Sequence, residues 1–305
     1  MTGAVASREP GAEGALGMQA SQRTSRRTGF WRRYIRHRLA LAGMIFLVAI
    51  GLAALFAPWL SPYEPDTMSL PDSRLEPSLE HPLGTDSLGR DNVTRVLFGG
   101  RVSITVALLA VAISSTIGTV LGTLSGFSGG WTDTIIMRLT DVFLSFPLLL
   151  LLIVLMTILD PSATNVVVII GFFTWMGTAR IVRGQVLSIK NEQYVEAAVA
   201  SGAGTTRIIM RHILPNSIAP LVVVSTLGVA NAMLTEASLS FLGLGIQPPT
   251  PSWGNMLNAA QQLQVLAQEP WAWLGPGAAI TLTVLSVNFM GDGLRDALDP
   301  RHRQL

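Results

Sequence analysis

Apolar residues in this chain come in long, almost uncharged runs, separated by stretches where charge and proline collect. The first run, Leu39–Leu60, has 22 residues. At about 1.5 Å per helical residue it reaches roughly 33 Å, enough to cross the hydrocarbon core of a bilayer. Five more runs follow: Val102–Phe127, Leu139–Leu159, Pro161–Ala179, Ser217–Phe241 and Trp271–Gly291. One such run can be a buried helix, but several mark a polytopic membrane protein. The pattern predicts an all-α fold with six transmembrane helices.

The polar stretches divide the chain further. Residues 1–36 are rich in Gly, Ala, Ser and Arg without a sustained apolar period, and read as a disordered cytoplasmic tail. Residues 37–60 hold the first transmembrane helix, too long for the apolar part of a cleaved export signal. Residues 61–101 carry Pro62, Pro65, Pro71, Pro77 and Pro82 and read as an external segment lying over the membrane. A short amphipathic helix is expected there around Asn92–Gly99. Residues 102–293 form a five-helix core interrupted by a polar loop, 183–215, and residues 294–305 a second cytoplasmic end. Within the core, Gly118, Gly122 and Gly126 recur every four residues and give one helix a smooth face for close packing.

Composition agrees with the pattern. Charged residues make up 13%, against about 25% in soluble proteins. The net charge of +2 is uninformative, but its distribution orients the chain. Eight Lys/Arg precede the first run, five fall in 180–216 and three follow the last run; under six spans these sixteen share one face. The other face has four, all within 61–101. The positive-inside rule then puts both termini and the 180–216 loop in the cytoplasm.

That loop contains Tyr194, Glu196, Ala197, Ala198, Ser201 and Gly202, followed by Leu214 and Pro215. On a helix Tyr194, Ala197, Ala198 and Ser201 share one nearly smooth face, suited to pressing into a partner's groove. Glu196 projects elsewhere. Gly202 permits a sharp turn, Thr205 or Thr206 is expected to cap a second helical piece, and Pro215 to end it. An alanine-rich surface helix without a partner is the plainer alternative. Within the spans, ionisable and polar groups are costly and mark functional candidates. Asp141, one turn after Arg138, makes a local ion pair or belongs to the path. Asn231 and Glu236 line a path or gate; alternatively Glu236 bonds the loop around Trp253–Asn255. The 242–270 loop either receives a docking protein or acts as a lid.

Absences narrow the chemistry. There is no cysteine, and Lys190 is the only lysine, so no phosphate-binding Gly-Lys-Ser/Thr loop exists. His37, His81, His212 and His302 are scattered, without a metal-ligand spacing. The sequence points to no cofactor in this chain, no nucleic-acid partner and no catalytic residue of its own.

The loop 194–202 with Leu214-Pro215 resembles the coupling loop of permease subunits in ATP-binding-cassette importers. Other segments extend the likeness to dipeptide, oligopeptide and nickel importer permeases of the "C" type. These are His81-Pro82-Leu83-Gly84-Thr85-Asp86 with Leu88-Gly89-Arg90-Asp91, Arg211-His212-Ile213-Leu214-Pro215-Asn216, and Glu236 through Gly245. Gln247 through Gly254, and Gly291 through Arg301, complete the set. The likeness covers about residues 39–303; the tail 1–30 is longer than it implies. It implies an importer-type (MetI-like) transmembrane domain and a related B-type permease chain as heterodimer partner. It also implies two ATPase subunits, which would hold ATP and magnesium, an external solute-binding protein, and membrane lipid around the spans. Alternating access would be driven through the 194–202 helix.

Short peptides are the favoured cargo, with chelated nickel the alternative. A bare metal ion would find no histidine or thiolate within the spans. An ion-coupled secondary transporter is the rival from another class, but no internal repeat and no row of buried acids support it.

Overall fold

The computed structural model describes residues 34–35 and 37–298. The expectations for the tail before Tyr34 and for residues 299–305 lie outside them. The described residues form thirteen α-helices, and the sole β feature among them is an isolated bridge between Thr85 and Asp91. In chain order the helices are α1 Arg38–Leu55, α2 Ala57–Leu60, α3 Asn92–Ser128, α4 Gly130–Ser145 and α5 Leu148–Ile158. Then come α6 Ala163–Phe173, α7 Trp175–Lys190, α8 Gln193–Ala200, α9 Thr205–Ile208 and α10 Leu214–Phe241. The last three are α11 Trp253–Ala259, α12 Leu263–Gln268 and α13 Pro270–Leu298.

Five stretches are long and apolar enough to cross a membrane: 38–55, 92–128, 163–190, 205–241 and 270–298. The pair α4 and α5 makes a sixth, bent by 85°. Six spans are therefore present when that pair counts as one, but the third is not the straight Leu139–Leu159 helix the apolar run implied. Pro147 has no N–H to continue α4 and forces the residue before it out of the helical region. Phe146 accordingly sits at φ −90°, ψ 139°.

The second span also starts earlier than its apolar run. The Asp91 carboxylate accepts from the Thr94 amide at 2.7 Å, which caps α3 at Asn92. The amphipathic turns expected around Asn92–Gly99 are simply the first turns of this 37-residue helix. α3 is the central post, packed along α7, α6 and α10. Its glycine stripe faces α7. A Cβ at Gly118 would lie 2.6 Å from the Thr178 Cβ, at Gly122 2.5 Å from the Ala179 carbonyl oxygen, and at Gly126 2.9 Å from the Val186 Cβ. The periodicity of four thus lets two helix backbones approach where no other side chain fits.

The two ends of α3 carry different structures. At its N-terminal end, segment 61–91 is knitted by polar contacts. Arg90 pairs with Asp86 at 2.7 Å, His81 Nδ1 lies 3.0 Å from Asp91, and Arg74 reaches Glu269 at 2.9 Å. α11 is tucked into the bundle at the same end. Trp253 is fully buried, its ring N–H donating to the Val96 carbonyl at 2.9 Å, and Ser252 and Asn255 close a capping box around it. The middle of the 242–270 loop is therefore packed into the bundle. At the C-terminal end of α3, Lys190 donates to the Phe127 carbonyl at 2.8 Å, placing the end of α7 and the start of the 191–204 segment there.

Candidate functional site

At the C-terminal end of α3, α8 rides on one apolar anchor. Val195 is 1% exposed and packs among Val182, Val186, Ile189, Ile208 and Ile213. That anchor leaves the opposite side of α8 free. Tyr194, Glu196, Ala197 and Ser201 are exposed and Ala198 is half-buried, so the smooth face read from the sequence points outward. The Tyr194 ring lies 6.1 Å from that of His212. Val199 and Met210 add exposed apolar surface that the spacing argument missed.

α8 ends in a Schellman turn: Gly202 N–H donates to the Val199 carbonyl at 2.9 Å and Ala203 N–H to Ala198 at 3.1 Å. Gly202 stands at φ +79°. A Cβ there would meet nothing within 4 Å, so the backbone conformation, not crowding, calls for glycine.

Two local expectations are corrected. Neither Thr205 nor Thr206 caps α9; Gly204 occupies the N-cap without a side-chain bond. Pro215 does not end the second helical piece either. Residues Ile209–Ile213 form a π-turn that runs directly into α10, with Pro215 in the first turn of that helix. The wider turn absorbs the hydrogen bond that proline cannot make. Leu214 is half-buried and Pro215 exposed.

The second feature is a cavity of about 650 Å³ between α3, the α4–α5 bend, α7 and α10. Its polar lining consists of hydroxyls and one amide: Ser114, Thr178, Asn231, Thr235 and Ser238 among others. Ser115 of α3 and Ser225 of α10 bond to each other on its wall at 2.8 Å. Phe143, Phe146 and Phe173 supply aromatic wall. No ionisable side chain lines it among the described residues.

Of the three path candidates, only Asn231 is on this wall. Glu236 is fully buried behind it: Ser240 Oγ donates to Oε1 at 2.8 Å and Ser103 Oγ to Oε2 at 2.9 Å. Ser103 Oγ also accepts the Trp253 amide at 3.3 Å. Glu236 thus joins α10 to α3, and it reaches the Trp253 segment through Ser103. Asp141 is not on the wall. Its partner is Arg180, at 2.5 Å, with Arg138 more distant at 3.9 Å. The hydroxyl wall itself was missed, although Gly228, Asn231, Thr235 and Ser238 recur at helical spacing on α10 and carry its signal.

A helical bundle with membrane-length spans, an uncharged cavity and an outward-facing helix at one end fits a membrane permease, and the comparisons with known proteins show that class. Residues 118–304 match the profile of the binding-protein-dependent transport system inner membrane component. Residues 25–77 match the N-terminal transmembrane domain of oligopeptide transport permease C. A protein of Brucella suis biovar 1 named as a peptide permease is 45% identical over 269 residues, 88% of this chain and 89% of its own. The glutathione transport system permease proteins GsiD of Pectobacterium atrosepticum and Escherichia coli O6:K15:H31 are 44% and 43% identical over 273 residues. These cover 89% of this chain, and 90% and 89% of the relatives. The chain therefore belongs to the family of binding-protein-dependent inner-membrane transport components, in its peptide and oligopeptide branch. Membership places it in the inner membrane as a multi-pass ABC permease of MetI-like fold, and implies an ATPase and a binding protein as partners. Its relatives are transport permeases rather than enzymes.

Proposed function

We propose that this chain is one transmembrane half of an ATP-driven importer of short peptides, paired with a related B-type permease chain. Two separate ATPase subunits bind on the α8 side, and an external solute-binding protein delivers cargo at the opposite end. Tyr194, Glu196, Ala197, Ala198, Ser201 and Gly202 form the ATPase-facing surface, with Leu214 and Pro215 fixing the helix that follows. Both termini and α8 face the cytoplasm, by the arginine asymmetry. The chain carries no bond-making chemistry of its own.

The observation that carries this reading is the pairing of an exposed helix, pinned to α7 by Val195, with a cavity whose wall includes the other end of α7. A motor can bias two cavity states only through contacts that differ between them, and α8 offers the surface for such contacts. Asn231 and the hydroxyls around it suit a hydrated, weakly polar passage. An uncharged wall gives a peptide no deep electrostatic trap. The relatives' names, peptide and glutathione, favour small peptide-like solutes, glutathione being itself a tripeptide. Asp141 and Glu236 hold helices in place rather than touching cargo.

The test is uptake by the reconstituted importer of a labelled tripeptide, glutathione and a nickel chelate, each with and without ATP. ATP-dependent entry of the tripeptide or glutathione is expected. Entry of the nickel chelate alone would reassign the cargo, and uptake indifferent to ATP would overturn the mechanism.

A further inference from the structure

α4, the longer limb of the bent third span, has very little packing. Of its 16 residues only Thr140 is buried, while Trp131, Ile135, Leu139 and Val142 are exposed. Phe143 packs against Trp175, Met176 and Ala179 of α7. The side-chain hydrogen bonds from α7 to α4 are ionic. Arg183 grips Asp133 through two bonds, Nε to Oδ1 and Nη2 to Oδ2, both 2.6 Å. Ser125 of α3 donates to the same carboxylate. One turn away on α7, Arg180 donates to Asp141 at 2.5 Å.

The two pairs are unequal. The Asp141 and Arg180 side chains are each 48% exposed, and such single pairs contribute little. Asp133 and Arg183 are 20% and 32% exposed, share two parallel bonds, and have a hydroxyl bracing the acid. A bidentate guanidinium–carboxylate pair fixes direction as well as distance. The weight falls on Asp133–Arg183.

Its position in the bundle gives the pair a role. The C-terminal half of α7 holds Val195 of α8 through Val182, Val186 and Ile189. The N-terminal half of α7 lines the cavity with Met176 and Thr178, and that wall is completed by Phe143 of α4 and by Phe146 in the break that follows α4. Displacement of α8 reaches α7 by direct apolar packing. It reaches α4 through thin packing and this ion pair. We propose that Asp133 and Arg183 are positioning residues that make α4 follow α7, so that movement of α8 resets the aromatic wall of the cavity. The inference rests on the reading of α8 as the ATPase-facing helix.

The experiment uses the complete importer in proteoliposomes. The chain has no cysteine, so spin labels at Ile135→Cys on α4 and Ser188→Cys on α7, in an importer whose other subunits are made free of cysteine, report a single distance. With native Asp133 that distance is expected to stay narrow with and without ATP. In Asp133→Asn it broadens, and the ATP hydrolysed per cargo molecule rises by about two- to thirtyfold, the range for residues within a coupling network. Asp133→Glu, or Asp133→Arg combined with Arg183→Asp, brings both readouts back toward the native values. An unchanged hydrolysis ratio in Asp133→Asn overturns the proposal, whether or not the distance broadens. So does loss of the Asp133→Asn chain from the membrane that Asp133→Glu fails to repair, which would assign the pair to folding alone. ATP-independent uptake by the unmutated importer would strike the proposed function first, and is read before any variant.

Discussion

At the scale of single residues, two positions separate conformational demand from chemical demand. Gly202 sits at φ +79° with open space around it. A side chain there strains the turn by about 1–2 kcal/mol, and a charge also alters the surface offered to the ATPase. Gly202→Asp is expected to abolish ATP-dependent uptake while the chain still reaches the membrane, and Glu196→Ala to leave uptake nearly normal. Both are read from uptake and ATPase co-purification. Normal values for the glycine variant would remove α8 from the coupling role. Glu236 is the opposite case, defined by its partners. Glu236→Leu leaves the buried Ser103 and Ser240 hydroxyls without their acceptor, at about 1–3 kcal/mol for each orphaned group. Thermal unfolding of the detergent-solubilised chain should show a clear loss of Tm for Glu236→Leu and a smaller one for Glu236→Gln. The sequence flagged both residues, but it could not say which way Glu236 pointed. Residues 231 and 236 lie five apart, so one faces the cavity and the other its back. Only the packing of α11 against α10 reveals which.

At the scale of elements, periodicity was a faithful guide wherever packing is helix against helix. The glycine stripe of α3 was legible because a spacing of four has one geometric meaning on a helix. Gly122→Val should force α3 from α7, since its Cβ would sit 2.5 Å from a backbone oxygen that cannot turn aside. Overpacking of this kind costs about 1–3 kcal/mol, measured as a fall in Tm with reduced uptake. Gly51→Val, on α1 with nothing within 4 Å, is the matched control and should be nearly silent. Hydropathy misled where apolar runs conceal a break. The run Leu139–Leu159 reads as one span because leucine is equally content on either side of Pro147, and hydropathy carries no direction. The π-turn before Pro215 was illegible for a related reason: proline announces a missing donor, not how the preceding turn will absorb it.

For the whole molecule, the two ends of α3 carry structures of opposite character, and sidedness makes this testable. Cysteine at Ser78 or Thr250 is expected to react with an impermeant thiol reagent in intact cells, and cysteine at Ser188 to be protected. All three positions are exposed on the chain itself. Labelling at Ser188 from outside would invert the orientation and detach α8 from any cytoplasmic motor. Span number and fold class were readable because the bilayer imposes a length that sequence alone can meet. The cavity wall was not, because its mark is the helical spacing of a few neutral polar residues along α10 rather than a charge.

The bend at Pro147 bears on how such a chain is made. α5 has 11 residues, about 16 Å of helix against a bilayer core of about 30 Å. It is too short to hold a transmembrane position by itself as it leaves the ribosome. Residues 148–158 therefore complete a crossing only together with α4, with α6 packed beside them. The third span is in that sense a joint structure, in which neither limb has the length to cross alone.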